Sequence, residues 1–200
     1  MKNTTRDLVT MAVFGALWGF VEISLGSVLH AIRLPMTGLS LAAVGLIIAL
    51  VGRVFVPKRG STIFIGVIAT ILKLFSIGAI IIGPMIGILA EALLAELVLS
   101  LFVKPSRLAF ICAAMVAVLW TLVQPFFTGM LIFGRDLLSI WLDTLDMGSR
   151  LLGLDSQAAI WILLALVSGY LAVGAAAGAL AWWLARLVRS RMGLRLPQTA

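Results

Sequence analysis

Residues 84–103 are apolar almost without interruption, for long enough to cross a lipid bilayer, and two carboxylates, Glu91 and Glu96, are written into that run. A helix of roughly 20 residues spans the hydrocarbon core of a membrane. An acid held at that depth normally faces a bundle interior or a water-filled cavity. The two carboxylates therefore mark a candidate ligand, ion or proton site.

The remainder of the chain is of the same kind. Of its 200 residues, 62% are hydrophobic and 12% charged, with a mean hydropathy of +1.20, far outside the range of soluble domains. At roughly 20 apolar residues per span the length allows about six helices and no separate soluble domain, so residues 1–200 read as a single membrane domain. The formal charge of +7 would suggest nucleic acid in a soluble protein. Here the basic residues sit mainly at span ends, where Lys and Arg set orientation, and nucleic-acid binding is not expected. Cys112 and His30 are each the single residue of their kind and the Asp residues are scattered, so neither a disulfide nor a metal cluster is expected. Lys2 and Arg6 precede an apolar segment in the manner of a signal peptide, but that segment continues to about Leu29 without a cleavage site and reads as a first transmembrane helix.

The spans are expected at about 7–29, 39–55, 61–76, 84–103, 108–133 and 158–187. His30, Arg33, Pro35 and Gly38 form a short turn between the first two. Residues 77–83 are left open, as helix or as irregular loop. Pro84 suits the first turn of the fourth helix, where its missing N–H is not needed. Pro125 is expected to kink the fifth and free a carbonyl. Between the fifth and sixth spans an amphipathic segment places Leu137, Leu138, Trp141, Leu142 and Leu145 on one face. It reads either as a helix lying on the membrane surface or as a lid.

The distribution of basic residues orients the bundle. With both termini cytoplasmic, Lys2, Arg6, Arg53, Lys58, Arg59, Lys104, Arg107, Arg186, Arg189, Arg191 and Arg195 lie inside, which is 11 of the 15. Arg33, Lys73, Arg135 and Arg150 make up the other 4, and Lys73 is within a span. That asymmetry favours an all-α bundle of six transmembrane helices with both ends inside and the amphipathic helix outside.

Depth then groups the polar side chains. At about 1.5 Å per residue, Glu22, Lys73, Glu91, Gln124 and Tyr170 each lie roughly 18 to 24 Å from the inner end of their helix, in the outer half of the membrane. Trp18 and Trp120 lie at a similar depth. These seven residues are the candidate binding site, and a small cationic or zwitterionic ring compound would suit it by charge pairing and stacking. The competing reading is a buried pair of Lys73 with Glu22 or Glu91 that only fixes helix packing. Glu96, roughly 10 Å from the inner end and on another face, is expected to meet a partner subunit or an inner basic residue.

The first helix also carries Ala12, Gly15, Ala16 and Gly19 in overlapping small-x-x-x-small spacing. Such a face lets another helix approach closely, within the chain or from a partner. With Gly83-Pro84-Met85-Ile86-Gly87 at the start of the fourth helix, the length, and six spans with both ends inside, the chain resembles the S components of energy-coupling factor (ECF) transporters. These are the small six-helix subunits that bind vitamins and related micronutrients in bacteria and archaea. The resemblance covers nearly the whole chain. It implies a vitamin or precursor bound in the outer half, a prokaryotic cell membrane, and docking of the transmembrane coupling subunit on an Ala-x-x-x-Ala motif matched by Ala12 and Ala16. It implies two ATPase subunits as further partners, no cofactor, and no catalysis by this chain. The 33–38 turn is shorter than the lid loop of some members, which leaves the 135–155 segment as the alternative lid.

No Gly-x-x-x-x-Gly-Lys-Ser/Thr phosphate loop occurs, so ATP hydrolysis belongs to other chains. Two other classes fit the same residues: an ion- or proton-coupled carrier using Glu22 and Glu91, and an intramembrane enzyme or accessory subunit using Glu91 and Glu96 on lipid-like substrates.

Overall fold

The computed structural model describes residues 4–32, 36–76, 82–102, 104–155 and 158–191. Among them the chain forms seven helices and no strand: α1 (Thr5–Ala31), α2 (Thr37–Phe55), α3 (Ser61–Lys73), α4 (Ile82–Leu101), α5 (Arg107–Phe133), α6 (Leu137–Leu152) and α7 (Ala159–Arg191). Five of them, α1, α2, α4, α5 and α7, are long and apolar enough to cross a membrane. The protein is thus a helical bundle of multi-pass membrane type. Helix α3 is shorter, with 13 residues, or about 20 Å at the usual rise. It ends at Lys73 rather than at residue 76, and the next three N–H groups, of Leu74, Phe75 and Ser76, bond back by three residues in a tightened turn.

The facing ends of α1 and α2 also run longer than expected. His30 and Gly38 lie within helices, because α1 runs to Ala31 and α2 begins at Thr37; neither glycine nor proline interrupts residues 27–32. Arg33 and Pro35, the 77–81 stretch, Val103 and Arg195 lie outside the described residues. Helix α7 continues past the expected end at 187, so Arg186, Arg189 and Arg191 ride on its last turns. Helix α5 runs on through Pro125, and the Thr128 hydroxyl donates to the Gln124 carbonyl (3.1 Å) beside it.

The helices close a ring in the order α1, α3, α4, α5, α7, α2, and α2 also reaches across to α3, α4 and α5. Small residues set the spacing, since apolar lipid offers helices no hydrophobic reason to associate and close packing must supply it. Gly174 and Gly178 on α7 lie against the α5 backbone, where an added Cβ would come within 2.7 Å of the Met115 Cα and 2.4 Å of the Phe110 carbonyl. Gly66 of α3 receives Ala92 of α4, and Gly45 of α2 receives the indole of Trp18.

Helix α6 caps one end of the ring, packed on α5 and α7. The Asp136 side chain caps it by accepting the Ser139 N–H (2.9 Å), and that bond holds the Asp136 carboxyl below its ordinary range. The apolar face divides between the bundle and the outside. Ile140, Leu145 and Gly148 are buried, whereas Leu137, Leu138 and Leu142 are more than half exposed. Shape decides the rotation: Ile140 fills the space left by Gly129 of α5, and Gly148 accepts Ile162 and Leu166 of α7.

Candidate functional site

Beneath α6, the ring helices border a partly open cavity of about 600 Å³. Each of the six ring helices and α6 contributes a wall: Glu22 from α1, Leu41 from α2, Lys73 from α3, Glu91 from α4, Gln124 from α5, Thr144 from α6 and Tyr170 from α7. The five polar groups placed at a common depth by residue counting therefore line one space. Successive membrane-length helices reverse direction along the chain, and depth was counted from the same end of the bundle in each, so equal depth brings these groups to one level.

Lys73 is the last residue of α3 and is buried. Its ammonium donates to the Glu22 backbone carbonyl (3.0 Å) and lies 3.4 Å from Glu22 Oε2. Both side chains are almost wholly out of solvent, 9% and 6% exposed. Glu91 differs. It is 4% exposed, and its Oε2 is buried with no hydrogen-bond partner among the described residues. Gln124 is positioned by Nε2 donating to the Gly83 carbonyl of α4 (2.8 Å). Gly87 makes room for it, because a Cβ at that position would come within 2.7 Å of Gln124 Oε1.

The aromatic residues divide. Tyr170 lines the cavity; Trp18 and Trp120 do not. Trp18 is fully buried in a core with Met11, Ala49 and Ile65, where a glycine on α2 admits its ring. Trp120 stacks on Phe127 of the same helix, with ring centroids 5.3 Å apart. Four threonines that residue counting did not single out, Thr37, Thr121, Thr128 and Thr144, also line the space. A signal for two of them is present in the sequence. Thr121, Gln124 and Thr128 are spaced three and seven apart on an apolar helix, which puts them on one stripe.

Glu96 lies outside this cavity, at the end of the bundle where α2 turns into α3. Its carboxylate accepts the N–H groups of Gly60 (2.8 Å) and Thr62 (3.0 Å) at the start of α3 and lies 3.4 Å from Arg53. A negative charge there complements the exposed donors and the positive end of the helix dipole. The Arg53 guanidinium also donates to the Lys58 carbonyl and to Ser61 Oγ. Lys58 in turn meets Asp7 of α1 at 2.5 Å.

The small-residue face of α1 is split. Gly15 and Gly19 are spent inside the molecule: a Cβ at either would meet Ile68 or Leu72 of α3 at under 3 Å. Ala12 is half-buried and Ala16 exposed, among the outward Val9, Val13, Leu17 and Phe20. Among the described residues no group of three or more His, Cys, Asp or Glu side chains is placed to hold a metal ion.

These features define a helical bundle of multi-pass membrane type with a partly open, largely apolar cavity that several polar side chains border. Comparison with family models, with curated proteins and with solved structures finds no match.

Proposed function

We propose that this chain is the substrate-binding membrane subunit of an ECF-type importer, capturing a vitamin-like small molecule in the cavity between its helices. In this reading the chain crosses a prokaryotic cell membrane six times, α3 included, with both termini cytoplasmic and α6 covering the outer mouth. A coupling subunit docks on the exposed Ala12–Ala16 side of α1, and ATPase subunits supply the energy.

The observation that carries the proposal is Glu91. An intramembrane carboxylate oxygen with no partner is costly, and here it borders a cavity of about 600 Å³. The neighbouring Glu22 already has Lys73 against it. A ligand that presents an amine, amidine or ring N–H to Glu91 would supply the missing bond. Tyr170, Gln124 and the four threonines offer further hydrogen bonds to a polar ring, and Leu41, Ala42 and Ile88 cover its apolar edge.

Mass spectrometry of small molecules that co-purify with the protein identifies the ligand, and titration then compares the wild type with Glu91→Gln. Loss of one charge-assisted hydrogen bond should weaken binding by on the order of tenfold or more. Equal affinity in the two proteins would remove Glu91 from the site. Uptake into proteoliposomes lacking ATP and partner chains would instead favour an ion- or proton-coupled carrier that uses Glu22 and Glu91.

A further inference from the structure

A second cavity, of about 520 Å³, lies at the opposite end of the bundle, where the start of α5 meets the last turns of α7. Two guanidinium groups, Arg107 and Arg186, border it together with the indoles of Trp182 and Trp183 and the hydroxyl of Ser190. On α7 the spacing 182, 186, 190 places these groups along one stripe, and Arg107 reaches it from the neighbouring helix.

Nothing in the described chain neutralises this charge. Neither Arg107 nor Arg186 has an ion-pair or hydrogen-bond partner among the described residues, and Nε and Nη1 of Arg189 are buried without one. The acids at this end are engaged elsewhere, Asp7 with Lys58 and Glu96 with Arg53. Those around α6 belong to the far end. Guanidinium forks match the oxygens of a phosphate in pairs. Tryptophan settles at the headgroup level of a bilayer, and basic pockets between transmembrane helices hold anionic headgroups. Trp183, at 57% exposed, extends the notch toward the lipid side.

We propose that this notch binds the phosphate of an anionic phospholipid, gripped by Arg107 and Arg186 from two helices, with Trp183 against the glycerol and the first acyl carbons. A free phosphate ester shares the phosphate chemistry but leaves the indole side unused, which favours the lipid.

The test is lipid retention by the full chain, read by native mass spectrometry after reconstitution with equal amounts of phosphatidylglycerol and phosphatidylcholine. The wild type should retain phosphatidylglycerol preferentially. Arg107→Gln with Arg186→Gln should lower that retention on the order of tenfold, Arg107→Lys with Arg186→Lys should keep part of it, and Arg135→Gln with Arg150→Gln, at the far end, should keep all of it. Millimolar glycerol 1-phosphate should not displace the lipid. Should the glutamine pair fail to fold, the wild-type preference and the lysine pair decide. Equal retention of the two lipids by the wild type, undiminished retention by the glutamine pair, full displacement by glycerol 1-phosphate, or occupation of this face by a partner protein with no lipid retained would each overturn the assignment.

Discussion

The ammonium of Lys73, at the last residue of α3, lies 3.4 Å from the carboxylate of Glu22 on α1 and 3.0 Å from the same residue's backbone carbonyl. One lysine thus ties two helices together at the edge of the cavity. Such a pair gains little over a well-packed apolar pair, because both charges were taken out of water, but losing one partner strands the other. Lys73→Ala should therefore cost about 3 kcal/mol, read as a lower midpoint of unfolding in mixed micelles. Glu22→Gln combined with Lys73→Met should recover most of that loss, and a double variant as unstable as the single would show that the pair does not act as a unit.

Glu91 and Glu96 share a helix and should respond in opposite ways. Glu96 satisfies two backbone N–H groups and faces the buried Arg53, so Glu96→Ala leaves the two N–H groups unpaired and removes the charge opposite Arg53. We expect it to cost about 3 kcal/mol or more and to leave ligand affinity unchanged in the protein that still folds. Glu91→Gln should do the reverse, with near-native stability and weakened binding. Unfolding midpoints and ligand titrations on both variants check the contrast, which fails if the two lose stability equally.

The α5–α7 contact depends on missing side chains. A Cβ at Gly178 would fall 2.4 Å from the Phe110 carbonyl, and backbone cannot step aside as a flexible side chain can. Gly178→Ala should cost about 2 kcal/mol, whereas Gly169→Ala, nine residues earlier on α7 with nothing within 4 Å, should stabilise by about 0.5 kcal/mol through helix propensity. Paired unfolding curves of the two variants give the comparison. A similar loss for both would mean that α7 does not pack on α5 through this face.

Depth along each helix was legible before the fold was known. Glu22, Lys73, Glu91, Gln124 and Tyr170 could be assigned to one level because the rise per residue is constant and apolar runs declare where a helix begins and ends. The separation of Glu96 from Glu91 followed from the same count. Helix ends were legible only to within a few residues, as His30 and Gly38 show, and rotation about each helix axis was much less legible. Trp18 and Trp120 have the right depth and border other spaces. Gly15 and Gly19 face α3 while Ala16, one position on from Gly15, faces outward. On α6, Leu145 packs inward while Leu137, Leu138 and Leu142 stay exposed.

The reason lies in the solvent. In water a hydrophobic stripe marks the buried side of a helix, but lipid tails are as apolar as a protein core, so the stripe no longer distinguishes inside from outside. Composition and spacing by themselves determined that this chain is a bundle of membrane-length helices carrying charges where charges are costly. Which small residues let helices touch, which carboxylate finds a lysine and which is left facing a cavity were decided only by the tertiary structure, because close approach depends on shapes brought together from helices far apart in the chain.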